Sequence, residues 1–129
     1  MKKVITQNKF YEISVDTEIN RLYLKIIGFW RSREEVDHYI SDLEKAVVCL
    51  KPSFTLLTDL SEMVTHPVEV HEVHLEAQAL LLRKGLTHTA EVYTSSFVQF
   101  QAGNLSRKSN MPLRQFVHLE EAESFLSTL

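Results

Sequence analysis

The stretch Thr55-Leu56-Leu57-Thr58-Asp59-Leu60-Ser61-Glu62-Met63 decides the fold. Its first part is an apolar run, the pattern of a short strand covered on both faces of a parallel sheet. Its second part turns acidic and hydroxyl-bearing, and a helical pattern opens near Pro67. A strand, a loop and a helix in that order form the unit from which α/β sheets are built, and such sheets carry their working groups beyond the carboxyl ends of the strands. Phe54 to Thr58 is therefore read as a central strand, and Asp59 to Pro67 as a loop at the working end.

Towards the N-terminus, Phe10 to Val15 alternates and Leu22 to Trp30 is rich in branched and aromatic residues, so two strands are expected. The polar segment Asp16 to Asn20 joins them as a hairpin. Ser32 and Glu35 have the spacing of a capping box, after which Val36, Tyr39, Ile40, Leu43, Val47 and Leu50 recur at helical spacing up to Pro52.

Towards the C-terminus, Glu69 to Lys84 reads as a helix with the core stripe Val70, Val73, Ala77, Leu80 and Leu81, stopped by Gly85. Thr89 to Thr94 is a strand. Ser95 or Ser96 caps a third helix carrying Phe97, Val98, Phe100, Ala102 and Leu105, which ends among Arg107, Lys108 and Asn110. Arg114 to His118 is a last strand and Glu120 to Leu129 a closing helix. The order β-β-α-β-α-β-α-β-α predicts an α/β fold with a mixed, mostly parallel sheet, an N-terminal antiparallel hairpin and four helices. At 129 residues the chain has room for one domain, residues 1–129.

Composition excludes several classes of function. The 14 basic and 17 acidic residues are interspersed and sum to −3, so no broad cationic surface is available for nucleic acid. The longest apolar runs, such as Leu80-Leu81-Leu82, fall far short of a membrane span. Met1 to Gln7 turns polar at once, without the apolar core of a secretory signal, and Cys49 alone forms no internal disulfide; a cytoplasmic location is expected. Only three glycines, Gly28, Gly85 and Gly103, are present, which excludes a P-loop and a dinucleotide fingerprint and leaves no cofactor expected.

The segment Thr58-Asp59-Leu60-Ser61-Glu62-Met63, within this element order, resembles the strand-to-loop signature of the STAS domain, the fold of anti-sigma factor antagonists, and in particular the single-domain SpoIIAA-like bacterial proteins. The resemblance implies a SpoIIAA-like fold and a binding or regulatory role, and its similarity to the lipid-binding module of Sec14-type proteins implies an apolar ligand as an alternative. STAS phosphoswitches place Asp-Ser-Ser-Gly just before the helix, whereas Thr65-His66-Pro67-Val68-Glu69-Val70 stands here. The serine and glycine are missing, and Thr65, the nearest hydroxyl, sits several residues early.

Three constellations are candidates for chemistry. His66, His71 and His74 stand among Glu69, Glu72 and Glu76; on a helix His71 and His74 are neighbours, with His66 approaching from the loop, which suits a metal or, more simply, a solvated helix face. Asp59, with Ser61 and Glu62, could act as a base or ligand anchor, or fix a turn by accepting backbone hydrogen bonds. Thr94-Ser95-Ser96 could hold an anion near the Asp59 loop, or simply cap the helix. Cys49 reads as a small buried thiol, and Phe29 and Trp30 as core, dimer or partner contacts.

The leading expectation is a non-enzymatic protein acting through protein–protein contacts, with a surface formed by Asp59, Ser61, Glu62, Thr65, His66, His71, His74, Ser95 and Ser96. The partner is another protein or a second copy of the chain. A carrier or sensor of a lipid or other apolar small molecule ranks second and calls for a dry pocket of a few hundred Å³, of the order of 300 Å³ or more. A metal-dependent hydrolase using His66, His71 and His74 ranks third.

Overall fold

The computed structural model describes residues 1–129. It has six strands in sequential order in one sheet: β1 (Lys3–Gln7), β2 (Tyr11–Asp16), β3 (Arg21–Gly28), β4 (Phe54–Met63), β5 (Leu86–Val92) and β6 (Leu113–Phe116). β1, β2 and β3 pair antiparallel, and β3 to β6 pair parallel. The helices are α1 (Tyr39–Val47), α2 (Val68–Arg83), α3 (Ser96–Ser109) and α4 (Leu119–Ser127), with a 3₁₀ turn at Arg33–Val36. The expected α/β class, hairpin, parallel remainder and four helices are all present.

Layering follows from the strand order. The crossovers from β3 through β6 all step the same way across the sheet, so one hand of connection puts α1, α2 and α3 on one face. Leu22, Leu24, Ile26 and Leu56 point into that layer and pack with Tyr39, Leu43, Val70, Leu81 and Val98. Tyr23, Leu57, Ala90 and Val92 alternate to the other face, where Ala122 and Leu126 of α4 cover them. Because the middles of β4 and β5 are covered on both sides, some polar residues on them are buried: Thr58, Thr89 and Glu91 are each less than 5 % exposed.

Several local expectations are corrected. β1 was not foreseen, because its exposed, polar edge carries little of the alternation that marks a half-buried strand. The central strand does not end at Thr58 but continues to Met63 through a bulge: Lys25 opposes Asp59, whereas Ile27 opposes Glu62. The backbone N–H of Ser61 donates to the Asp59 carboxylate at 2.9 Å, which holds that bulge. Ser32 makes no side-chain cap; Glu35 reaches one residue further back and accepts from the Arg31 N–H at 2.8 Å, so a 3₁₀ turn precedes α1 instead of one continuous helix. Cys49 is exposed rather than buried, because α1 ends at Val47 and the helical period no longer orients the residues beyond it.

Two turns fix the end of the sheet opposite the working end. Asn20, at φ 54°, closes the hairpin and exchanges hydrogen bonds with the Lys51 backbone at 2.9 and 3.1 Å. Gly85, at φ 108°, follows α2; a Cβ there would lie 2.8 Å from Pro52 Cα, so both space and backbone conformation call for glycine.

Candidate functional site

The carboxyl ends of β3, β4 and β5 and the N-termini of α2 and α3 share one end of the molecule. The Thr94 hydroxyl donates to the Ser61 carbonyl at 3.1 Å, joining the end of β5 to the β4 bulge. Ser95 caps α3 by accepting from the Val98 N–H at 3.4 Å, and Ser96 is exposed beside it. The Asp59 carboxylate serves its own bulge, and Glu62 pairs with Lys25. Asp59 shares a groove with Tyr23 and Lys25 on the α4 face of the sheet, whereas His66, His71 and His74 belong with α2 and α3 on the other.

The histidines are not a solvated helix face. His66 and His74 are 4 % and 6 % exposed; their rings lie side by side within 11° of one plane, centroids 5.0 Å apart, and each stacks on Trp30 at 4.8 and 5.1 Å. Trp30 is fully buried, donates from Nε1 to the Phe10 carbonyl at 3.0 Å, and also meets Tyr11 and Tyr39 edge-on. His66 Nε2 lies 3.2 Å from the Gly28 carbonyl, which only accepts, so that nitrogen carries the proton and Nδ1 is an acceptor. His74 Nε2 then donates to His66 Nδ1 across 2.8 Å. Burial lowers both: His66 falls to about 4 and His74 to about 3, so the pair is neutral near pH 7. The one sequence signal for the burial of His74 was its position four after Val70 and three before Ala77 on the apolar stripe of α2, against the solvated face expected from its polarity.

Gln101 of α3, not singled out by the sequence, clamps the loop before α2. Its carboxamide accepts from the His66 N–H and donates to the His66 carbonyl, both at 2.9 Å, and its nitrogen lies 3.0 Å from His71 Nε2. Thr65 is half-buried beside this clamp. No three His, Cys, Asp or Glu side chains are grouped to hold a metal; the histidines are spent on each other, on Gly28 and on Gln101.

Glu91 is the second residue that the sequence did not mark. It is 4 % exposed on β5, and burial pushes its carboxyl up to about 7. Its hydrogen bond comes from Gln115 Nε2 at 3.4 Å, and Gln115 in turn donates to the Gln99 carbonyl at 3.1 Å. Thr89 Oγ1 and Ser106 Oγ, also buried, have no hydrogen-bond partner. Glu91 lines an interior cavity with Leu56, Thr58, Met63, His74 and Met111 whose volume is about 40 Å³. That is room for about one water molecule, against several hundred Å³ for a lipid-sized ligand.

The largest exposed apolar groups of this end are Phe29 (47 %), Val64 (53 %), Val68 (78 %), Phe97 (78 %) and Phe100 (70 %). They follow β3, follow β4, open α2 and lie in the first turns of α3. No helix is long and apolar enough to cross a membrane.

No protein-family model matches the sequence, and no curated protein matches it. Solved structures are similar in shape. An uncharacterised protein of the DUF3478 family from Shewanella loihica PV-4, described as having a SpoIIAA-like fold, superposes with a TM-score of 0.67 at 15 % identity, over 94 % of this chain and 97 % of that one. SiaC of Pseudomonas aeruginosa gives a TM-score of 0.55 at 12 % identity, over 90 % of this chain and 99 % of that one. Apo-SiaC gives 0.58 at 13 %, over 89 % and 98 %. At such identities the likeness speaks for the fold, and together with the strand order and the helix layers it establishes that this chain has the SpoIIAA-like fold expected from its resemblance to the STAS domain.

Proposed function

We propose that the protein is a non-enzymatic regulator that works by binding another protein at the carboxyl end of its parallel strands. The observation that carries this reading is the exposed set Phe29, Val64, Val68, Phe97 and Phe100, gathered from four separate segments at one end of the fold. Exposed apolar side chains are ordinary when scattered, but several at one end of a domain indicate a contact surface. Ser61, Thr65, Ser95, Ser96 and His71 supply its polar fringe. His66 and His74 support it from beneath, and Asp59 and Glu62 shape the bulge at its margin.

The chemistry of the site favours binding over catalysis. His66 and His74 are held neutral by burial in a mutual hydrogen bond, and no serine, threonine or cysteine hydrogen-bonds to an imidazole that could activate it. The interior cavity is too small for a lipid.

The test is affinity capture from cells of the source organism with the wild-type chain and with the variant Phe97→Ser/Phe100→Ser. A partner protein is expected in near-stoichiometric amount with the wild type and reduced by at least about tenfold with the variant, as for loss of aromatic anchors. Capture of nothing, or of a protein indifferent to substitutions throughout this end, contradicts the reading.

A further inference from the structure

One groove extends from this surface between α2 and α3, enclosing about 420 Å³ and lined by His71, Phe100, Gln101, Asn104, Arg107 and Lys108. Its chemistry differs from that of the rest of the molecule. The chain carries a net charge of −3, yet α3 contains no acid and no carboxylate lines the groove. Arg107 bonds only Asn104 Oδ1 and Lys108 makes no ion pair; Lys51, Arg83, Lys84 and Arg114 also lack one, so what sets this groove apart is a lining that joins such cations to an exposed aromatic without a carboxylate. The C-terminal dipole of α3 accounts for cations at that position. It does not account for Phe97 and Phe100, which stand 78 % and 70 % exposed on the same helix. Phe97, Phe100, Asn104 and Lys108 fall at helical spacing, so the outer face of α3 runs from aromatic to cationic.

We propose that this groove docks an acidic amphipathic segment of the partner protein, with an apolar side chain seated against Phe100 and carboxylates meeting Arg107 and Lys108. The inference rests on the protein-binding reading of the adjoining surface and adds the chemistry of what is bound. Charge complementarity selects the occupant: an anionic segment finds two unneutralised cations and no repelling acid, and a concave wall offers its apolar face a place to be buried. An anionic membrane is less well served. Two cations make a poor polybasic patch, and the chain as a whole is acidic.

The probe is a synthetic helical peptide with leucines on one face and glutamates on the other, added to isotopically labelled protein and followed by amide chemical shifts. Shifts are expected at Phe100, Gln101, Asn104 and Lys108, with at least about tenfold weaker binding of the same peptide carrying lysine for glutamate. Arg107→Glu/Lys108→Glu changes exposed residues, so the fold should persist with a melting temperature lowered by only several degrees through the helix dipole, a shift that Arg107→Gln/Lys108→Gln should largely avoid. The affinity of both variants for the glutamate peptide should fall, by at least about tenfold for the glutamate pair. Equal binding of the two peptides, indifference to the double substitution, or recruitment to phosphatidylglycerol vesicles without peptide binding overturns the proposal. A cellular partner lost with Phe97→Ser/Phe100→Ser but retained by Arg107→Glu/Lys108→Glu would overturn the acidic segment and leave the protein-binding surface standing.

Discussion

Replacing Trp30 by alanine is expected to destabilise the fold by about 3–5 kcal/mol, a large part of the 5–15 kcal/mol typical of a domain. Trp30 is fully buried where the sheet meets two helices: the start of β2 through its bond to the preceding Phe10 carbonyl and its contact with Tyr11, α1 through Tyr39, and α2 with its preceding loop through His74 and His66. Truncation leaves a cavity bordered by two imidazoles whose low proton affinity depends on being dry. Chemical denaturation followed by circular dichroism measures the loss, since Trp30 is the chain's one tryptophan and its fluorescence disappears with it. Trp30→Phe, which keeps an aromatic face for the stack, should cost less than half as much. A loss below about 1 kcal/mol for alanine would show that the stack is not a cornerstone of the fold.

The second large effect is on pH dependence. Glu91 binds its proton with a pKa of about 7 in the folded chain, against 4.5 ordinarily. Between those values the folded form keeps a proton that the unfolded form has released, so stability falls as pH rises through that window. The two buried histidines act in the opposite sense. Their ordinary value is 6.5 and their folded values are about 4 and about 3, so stability falls as pH drops below 6.5. Taking these three groups together, stability should therefore be greatest close to pH 7, where most of the histidines of the unfolded chain have become neutral and Glu91 in the fold has only half released its proton. Glu91→Gln keeps the shape and removes the charge, and it should stabilise the protein at pH 8 by on the order of 3 kcal/mol while changing little at pH 4. Urea denaturation of both forms across this pH range is the measurement. An unchanged or lower stability of Glu91→Gln at pH 8 would mean that the carboxylate is stabilised in the fold by interactions beyond Gln115.

The residues behind these effects differ in how well the sequence announced them. Element order was legible because helical periods in α1 and α2, the apolar run of β4 and the turn chemistry at Asn20 and Gly85 are local signals. His74 was legible in part, since its spacing from Val70 and Ala77 places it on the buried stripe, but its polarity argued for solvent. Glu91 was not legible. On a strand, alternate polar residues such as Thr87, Thr89 and Glu91 read as a solvated face, and only the crossover of α3 above them makes Thr89 and Glu91 interior.

The acidic stretch after Thr58 was misread for a related reason. A bulge admits polar residues into a strand without ending it, and a loop has the same composition. The clamp by Gln101 depends on contact between residues 35 positions apart, which no local pattern carries. The exposed face of α3 was concealed in another way: Phe97 and Phe100 have the composition of a core and are withheld from it by the phase of Val98, Ala102 and Leu105, which take the buried face.

Protein binding at one end of the sheet is tested most directly by recording amide chemical shifts of the labelled chain as its captured partner is added. Perturbations should concentrate at Phe29, Val64, Val68, Phe97 and Phe100, with the Pro52 and Gly85 turns at the opposite end unchanged. Perturbations confined to the α4 face around Phe116 and Phe125, or to the Pro52–Gly85 end, would contradict the assignment of the binding surface.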